Sequence, residues 1–324
     1  MIHAVQAVRA GGPEVLEYTE VPAPTADEGK LLVAVDAAGI NFIDTYRRSG
    51  AYPMDYPHIV GVEGSGVVEE VGPGVTGFAP GDRVCWHDEH GSYAEKVAVR
   101  ADMVMRVPDD VSSDVAAAIP LQGLTAQYLA TGSHRIEPGQ TALVHAGAGG
   151  VGLLLTQIIK HLGGKVITTV STEEKAELSR AAGADEVFLY GEGVDITATV
   201  KDLTGGEGVD VAYDGVGKDT FDASLASLKV RGSMVLFGAA SGPVPPFDIQ
   251  RLNSSGGIFL SRPSLAWFVR SPEELAERSA MLFDGLTKGW LDFRVGASFP
   301  LAEAAEAHRA LEGRRTTGKV VLVP

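Results

Sequence analysis

The residues of this chain whose spacing first suggests chemistry are the glycines of GAGGVG: Gly147, Gly149 and Gly152. The pattern G-x-G-x-x-G is weak alone. Here the apolar run TALVHA (141–146) leads into it, LLLTQIIK (153–160) leads out, and KVITTV (165–170) follows. Strand, glycine turn, helix and second strand is the setting in which such a turn holds a dinucleotide. The first glycine permits the tight turn, the second lets a pyrophosphate approach the backbone, and the third lets helix pack on strand. The helix N-terminus then faces the phosphates. A carboxylate about 20 residues on usually holds the ribose hydroxyls of NAD. Ser171 stands at the end of the second strand instead, about 24 residues past Gly147, and Lys175 lies one helical turn beyond. A small hydroxyl with an ammonium nearby leaves room for a 2′-phosphate, so the expected cofactor is NADPH. Glu173 and Glu174 then read as first-turn acids favoured by the helix macrodipole. The competing reading is a glycine-rich turn with no ligand.

The elements that would position these residues change style along the chain. Residues 1 to about 121 read as short β-branched runs broken by Gly and Pro, such as LLVAVDAAGI and VGVEGSGVVEEVG, which suggests a compact barrel-like domain. NFIDTYRRSG interrupts it as a short helix, with Asn41 as N-cap and Gly50 as stop. After Pro120 six strand candidates alternate with helices: 141–146, 165–170, 186–190, 209–214, 233–238 and 257–261. The intervening helical segments include GLLLTQIIKHLG, EEKAELSRAAG and TFDASLASLKV. That alternation predicts an α/β fold, a doubly wound six-stranded parallel sheet with helices on both faces. From about Arg262 the pattern changes again. SPEELAERSAMLFDGL reads as a helix with a capping box from Ser271 to Glu274, LAEAAEAHRALEG as a second helix, and KVVLV as a closing strand that rejoins the first domain.

Composition narrows the classes. The 324 residues carry 42 Asp and Glu against 27 Lys and Arg, a net charge of −15, which argues against a general nucleic-acid binder. One cysteine excludes an intrachain disulfide and a Cys-rich zinc site, and it suits a reducing, cytoplasmic compartment. The uncharged run from Pro138 to Ile159 reads as buried strand, glycine turn and helix rather than a membrane span. Forty glycines are an excess that points to turns or to backbone pressed against a ligand.

The glycine turn lies within a longer string, L-x-x-x-G-A-G-G-V-G-x-x-x-x-Q-x-x-K, from Leu143 to Lys160. This resembles the signature of the quinone oxidoreductase (zeta-crystallin) family of medium-chain dehydrogenases/reductases. GINFIDTYRRSGAYP (39–53), GVEGSGVVEEVGPGV (61–75), GDRV (81–84), GLTA (123–126), YDGVG (213–217), SRPSL (261–265) and the ending TTGKVVLVP are similar too, and in the same order. The resemblance implies a Rossmann dinucleotide domain (122–262) inserted into a GroES-like β-barrel catalytic domain (1–121 and 263–324). It implies a homodimer that pairs the last Rossmann strand of each subunit. It also implies zinc-independent, NADPH-dependent reduction of a small-molecule quinone in the interdomain cleft.

Zinc-containing relatives of that superfamily use Cys, His and Cys, and by motif these positions fall on Asn41, Val62 and Gln122, so no metal is expected. Hydride addition to a quinone or enone spreads its charge by conjugation, which suits a site without a Lewis acid. The resemblance carries Asn41 to the nicotinamide and makes Tyr46 and Tyr52 candidate hydrogen-bond donors to the substrate oxygen, unless both rings only pack. It assigns Gly149, Gly150, Val151 and Gly152 to the pyrophosphate, and Ser171, Lys175 and Tyr190 to the 2′-phosphate. Thr125, Gly215, Phe237 and Gly238 go to the nicotinamide half, with Arg262 and Arg314 reaching phosphate. Cys85, His87, Asp88, Glu89 and His90 form a mixed cluster that reads as a strand end and polar turn rather than a metal site, Cys85 as a packed strand residue, and His145 as core. Two alternatives stand beside this reading: reduction of α,β-unsaturated carbonyls or enoyl thioesters, and a non-enzymatic crystallin or RNA-binding role.

Overall fold

The computed structural model describes all 324 residues. Its first stretch is built of β1 (Ile2–Ala7), β2 (Leu16–Val21), β3 (Lys30–Ile40), α1 (Phe42–Ser49), β4 (His58–Ile59), β5 (Glu63–Val71), β6 (Arg83–His87), β7 (Lys96–Arg100) and β8 (Val104–Arg106). Then come α2 (Ser113–Ala116) and α3 (Leu124–Tyr128), the latter flanked by π-helical turns at Ile119–Gly123 and Leu129–Ser133. Alternation follows: β9 (Thr141–His145), α4 (Gly150–His161), β10 (Lys165–Val170), α5 (Glu173–Ala181), β11 (Glu186–Leu189), α6 (Ile196–Leu203), β12 (Val209–Asp214), α7 (Phe221–Ala226), β13 (Leu228–Leu236), α8 (Gln250–Ser254) and β14 (Phe259–Ser261). The chain closes with α9 (Pro272–Lys288), β15 (Val295–Pro300), α10 (Ala304–Glu312) and β16 (Lys319–Val323).

Contacts divide the chain into two units. The first holds Met1–Gly123, Ser271–Ala280 and Phe293–Pro324, and the second Leu124–Arg270 and Met281–Asp292. In the second, six parallel strands run in the order β11-β10-β9-β12-β13-β14, the doubly wound order expected from the alternation. Strands buried on both faces read as near-continuous apolar runs, as Ala142, Leu143 and Val144 do in β9. Leu143, Ile167, Val209, Ala212, Phe221, Leu225 and Met234 form the core beneath that sheet. The α4 helix buries Leu153, Leu154, Leu155, Ile158 and Ile159, each worth roughly 1.5–3 kcal/mol removed from water.

In the first unit the sheet order is β15-β16-β3-β5-β6-β8, with β7 also on β3. The last strand pairs antiparallel with β3, Val320 opposite Ile40 and Leu322 opposite Ala38. That register carries Lys319 to the end of β3, next to Asn41. Trp86, Tyr93, Leu31, Val33 and Val320 pack in this unit's core.

Two boundaries differ from the sequence expectation. TFDASLASLKV is not one helix: α7 ends at Ala226, and Leu228 already pairs with Val209 as the start of β13. Leu228 favours helix and Val230 extended backbone, and the parallel pairing decides the conflict. The strand then bulges, with Arg231 in the left-handed region at φ 62°. GIFLS also starts later than read, because Gly256 and Gly257 adopt positive φ and only Phe259–Ser261 pair with β13.

Candidate active site

The glycine turn does what its three glycines require, with one redistribution of roles. The left-handed residue of the turn is Ala146, at φ 54°, not Gly147. Gly147 is needed for space: a Cβ there would lie 2.6 Å from Thr168 Cβ. Gly152 is needed for the same reason, since a Cβ would meet the Ala146 carbonyl at 2.3 Å. Gly149 is the open one, its nearest neighbour 3.2 Å away, and it begins α4 in extended conformation with no side-chain cap. The N–H groups of Gly150, Val151 and Gly152 form the first turn of α4. They have no acceptor one turn back within the helix, so an anion is the natural partner.

Three residues meet at the carboxyl ends of β10 and β11. The Lys175 ammonium donates to Ser171 Oγ at 3.1 Å. Thr172 caps α5 by accepting the Lys175 backbone N–H at 3.3 Å. The Tyr190 N–H donates to the Val170 carbonyl at 2.9 Å, which brings Tyr190 alongside the Ser171 turn. Glu173 is engaged elsewhere, accepting from Arg180 at 2.5 Å.

The ends of β9, β10 and β12 are tied by a buried polar chain. Asp214 accepts the N–H groups of Val216 (2.8 Å) and Gly217 (2.9 Å), and its other oxygen accepts the Ser224 hydroxyl at 2.8 Å. Ser224 Oγ meets His145 Nε2 at 2.8 Å, and His145 Nδ1 meets Thr169 Oγ1 at 2.9 Å. Burial pushes the His145 pKa down, which keeps the ring neutral in this core position. The turn so held presents Gly215, where a Cβ would touch the Phe237 ring at 2.8 Å. Gly238 packs beside it, 2.4 Å from the Gly215 carbonyl by the same measure. Thr125 lies in α3 of the same unit, and Arg262, exposed after β14, donates to the Pro263 carbonyl at 3.1 Å. Sequence reasoning passed over Asp214, although an acid directly before a Gly-x-Gly turn signals a cap for that turn.

In the first unit, Asn41, Tyr46 and Tyr52 belong to α1 and its exit. The Asp44 carboxylate accepts the Asn41 backbone N–H at 2.8 Å and so caps the helix. The Tyr46 and Tyr52 rings lie 5.5 Å apart, and Tyr52 is 42% exposed. Arg314 follows α10 in the left-handed region at φ 56°. Behind α1 runs a buried chain: Tyr93 donates to Asp44 Oδ2 at 3.2 Å, Tyr93 Oη meets His308 Nε2 at 3.1 Å, and Arg48 donates to His308 Nδ1 at 2.9 Å. Burial dominates at both ends of it, pushing Asp44 up to about 7 and His308 down to about 3.

The three positions that the resemblance maps to zinc ligands do not fit a metal here. Asn41 Nδ2 donates to Glu63 Oε2 at 2.7 Å, and Lys319 Nζ donates to Asn41 Oδ1 at 2.9 Å. Lys319 also pairs directly with Glu63, and Gln122 Nε2 approaches Asn41 Oδ1 at 3.5 Å. Val62 is buried and offers no ligand atom. Two carboxamides and an aliphatic side chain are poor zinc ligands, and an ammonium already stands among them. Glu63 and Lys319 escaped the sequence reading. Their signal was a charge set within a glycine-rich or β-branched strand. The Cys85 region does not gather into a cluster either. Cys85 is sealed in β6, its thiol pushed up by burial, and His87 is buried with neither ring nitrogen partnered.

Comparison with known proteins agrees with this geometry. Residues 27–109 match the alcohol dehydrogenase GroES-like domain, and 150–276 match the zinc-binding dehydrogenase family, whose name describes ligands this chain does not supply. A quinone oxidoreductase of Pseudomonas aeruginosa is 41% identical over the whole of both chains. A 2-haloacrylate reductase of a Burkholderia species is 40% identical over 100% of this chain and 99% of its own. A mycobacterial protein solved in complex with NADPH superposes with a TM-score of 0.97 at 52% identity, covering all of both chains. The six-stranded parallel sheet, the GroES-like first unit and these full-length similarities together establish that the chain belongs to the quinone oxidoreductase family of zinc-free medium-chain dehydrogenases/reductases.

Proposed function

We propose that this protein catalyses the NADPH-dependent reduction of quinones without a metal. The observation that carries the cofactor choice is the Ser171, Lys175 and Tyr190 group, with no carboxylate at the ribose position. Bound NADPH supplies a hydride from its nicotinamide ring. The quinone takes up that hydride and one proton from solvent to give the hydroquinone, and NADP⁺ leaves. Gly150, Val151 and Gly152 bind the pyrophosphate through backbone N–H groups, and Gly149, whose own N–H donates to the Ala146 carbonyl at 2.8 Å, lets the pyrophosphate approach the turn. Ser171, Lys175 and Tyr190 bind the 2′-phosphate, with Arg262 and Arg314 adding positive charge. Thr125, Gly215, Phe237, Gly238 and Asn41 border the nicotinamide. Tyr46 and Tyr52 donate hydrogen bonds to the substrate oxygen as charge develops on it.

The same reading assigns residues 122–262 to the nucleotide domain and 1–121 with 263–324 to the catalytic domain. It makes the protein a cytoplasmic homodimer, and no helix is long and apolar enough to cross a membrane. Support for the dimer comes from the edge strand β14, where Phe259 is 66% exposed beside the exposed Leu260. A Phe259→Asp, Leu260→Asp variant should run as a monomer by light scattering; an unchanged mass would remove this edge as the interface.

The experiment that tests the activity is a steady-state panel of 1,4-benzoquinone and naphthoquinones with each cofactor. Charge-assisted contacts to the 2′-phosphate are worth about 1.5–3 kcal/mol, so kcat/KM should favour NADPH over NADH by roughly 10–100-fold. Equal values would overturn the cofactor assignment. A second reading, reduction of halogenated or other conjugated acids and enones, is favoured by the full-length similarity to the 2-haloacrylate reductase. Turnover of 2-chloroacrylate above that of any quinone would promote it.

A further inference from the structure

The cluster at Asn41 has a design of its own. Asn41 is 6% exposed, Lys319 1% and Glu63 not at all. Long charged side chains are almost never buried this completely unless each polar atom is matched. Here they are matched. Glu63 Oε1 accepts the Leu121 N–H at 2.5 Å, while Oε2 takes both the Asn41 amide and the Lys319 ammonium. Asn41 Oδ1 accepts from the same ammonium at 2.9 Å. The chain also makes room for the pair. A Cβ on Gly39 would lie 2.4 Å from Glu63 Oε2, 2.6 Å from Lys319 Cε and 2.8 Å from the Ala117 carbonyl.

The arrangement has one permitted orientation of the Asn41 carboxamide. Turning it over would set its N–H₂ against an ammonium and its oxygen against a carboxylate, two repulsive contacts for two attractive ones. We propose that Lys319 and Glu63 are positioning residues that fix the Asn41 carboxamide, with the Lys319 ammonium as the resident cation beside it. The pair acts through Asn41 and does not itself touch substrate. This deepens the quinone-reductase reading, on which the catalytic part of its test rests.

The test is a set of variants compared in two assays. Lys319→Met should lower kcat roughly 10–100-fold, the scale of a misplaced active-site group, with the NADPH dissociation constant changed less than about threefold. In Asn41→Ala the group to be positioned is already gone, so adding Lys319→Met should lower kcat by no more than about twofold further. Effects that multiply, or a Lys319→Met enzyme with native kcat and only a lower Tm, would overturn the proposal. If Lys319→Met fails to fold, the double variant Glu63→Gln, Lys319→Met removes both charges at nearly constant volume, and native kcat in it would have the same force. A second readout needs no substrate. With ¹⁵N-asparagine labelling, the Asn41 side-chain amide, assigned by its loss in Asn41→Ala, should be strongly protected from hydrogen exchange. Protection should drop at least tenfold in Glu63→Gln, and unchanged protection would overturn the proposal. Absence of quinone turnover in the wild-type protein, with the amide protected, would sink the quinone reading and leave the positioning pair standing.

Discussion

The carboxyl ends of β10 and β11 and the Asn41 cluster are both small groups of polar side chains, and they are built oppositely. Ser171 is exposed and Lys175 only half buried, and the bond between their side chains is the long one, at 3.1 Å. Asn41, Glu63 and Lys319 are sealed, and their acceptors are filled by one another and by the Leu121 N–H. An open group stands where a ligand can reach its charge. A closed one has already used its charge to hold its own members in place. The difference separates residues that recognise from residues that position, and it sorts the expected effects of mutation.

The largest effect should come from the glycine turn, which serves recognition through backbone alone. Gly152→Val sets methyl groups against the Ala146 carbonyl, and overpacking of that kind costs about 1–3 kcal/mol or more. We expect a lower Tm and loss of NADPH binding by fluorescence titration; native affinity would show that α4 does not face the phosphates. Next, Ser171→Asp should break the open group by placing a carboxylate where the 2′-phosphate binds. The ratio of kcat/KM for NADPH over NADH should fall by roughly 100-fold, the value of one or two charge-assisted bonds lost and a repulsion gained. An unaltered ratio would place the phosphate elsewhere.

The closed region has a pH signature. Burial raises the Asp44 carboxyl to about 7, so the folded protein holds that proton more tightly than the unfolded chain, where a carboxyl titrates near 3.9. Its contribution is therefore complete below about pH 4 and is lost as pH rises through about 7. Buried His308 and His145, whose pKa values burial lowers, add stability as pH rises and so oppose this slope, but they are common to wild type and Asp44→Asn. The urea midpoint of the wild type relative to Asp44→Asn should therefore fall between about pH 5 and 7, and a constant difference would assign the Asp44 proton no part in stability. The smallest effects should be those of Tyr52→Phe and Tyr46→Phe. Tyr52 is 42% exposed, and a single donor removed from a partly solvated site lowers kcat by roughly tenfold or less. Unchanged kcat in both would reduce the two rings to packing.

What could be read in advance follows the same division. The glycine turn, its flanking strand and helix, and the Ser171–Lys175 pair lie within about 30 residues of one another, so local spacing carries them. The doubly wound order was legible because alternation of strand and helix leaves few topologies. The Asn41 cluster was half legible. The resemblance drew attention to Asn41, Val62 and Gln122, but not to the charges that stand beside Asn41. Glu63 and Lys319 are separated by 256 positions, and only the successive pairing of β16 with β3 and of β3 with β5 joins them. Asp214 was half legible too: its place directly before Gly-x-Gly marks a turn cap, while its further donors, Thr220 and Ser224, come from the start of α7 and the helix itself. The α7–β13 boundary failed because helical spacing continues for three residues past the point where pairing with Val209 takes over.

The pairing of β16 with β3 also sets a schedule for synthesis. The strand β16 leaves the ribosome after the entire six-stranded nucleotide-binding unit. Glu63 must therefore wait, without its cation, while some 250 further residues are translated, tens of seconds at ordinary elongation rates. Until then Ala38–Ile40 of β3 lack the strand that will pair with them, and Glu63 lacks its ammonium. The arrival of β16 supplies both in one event.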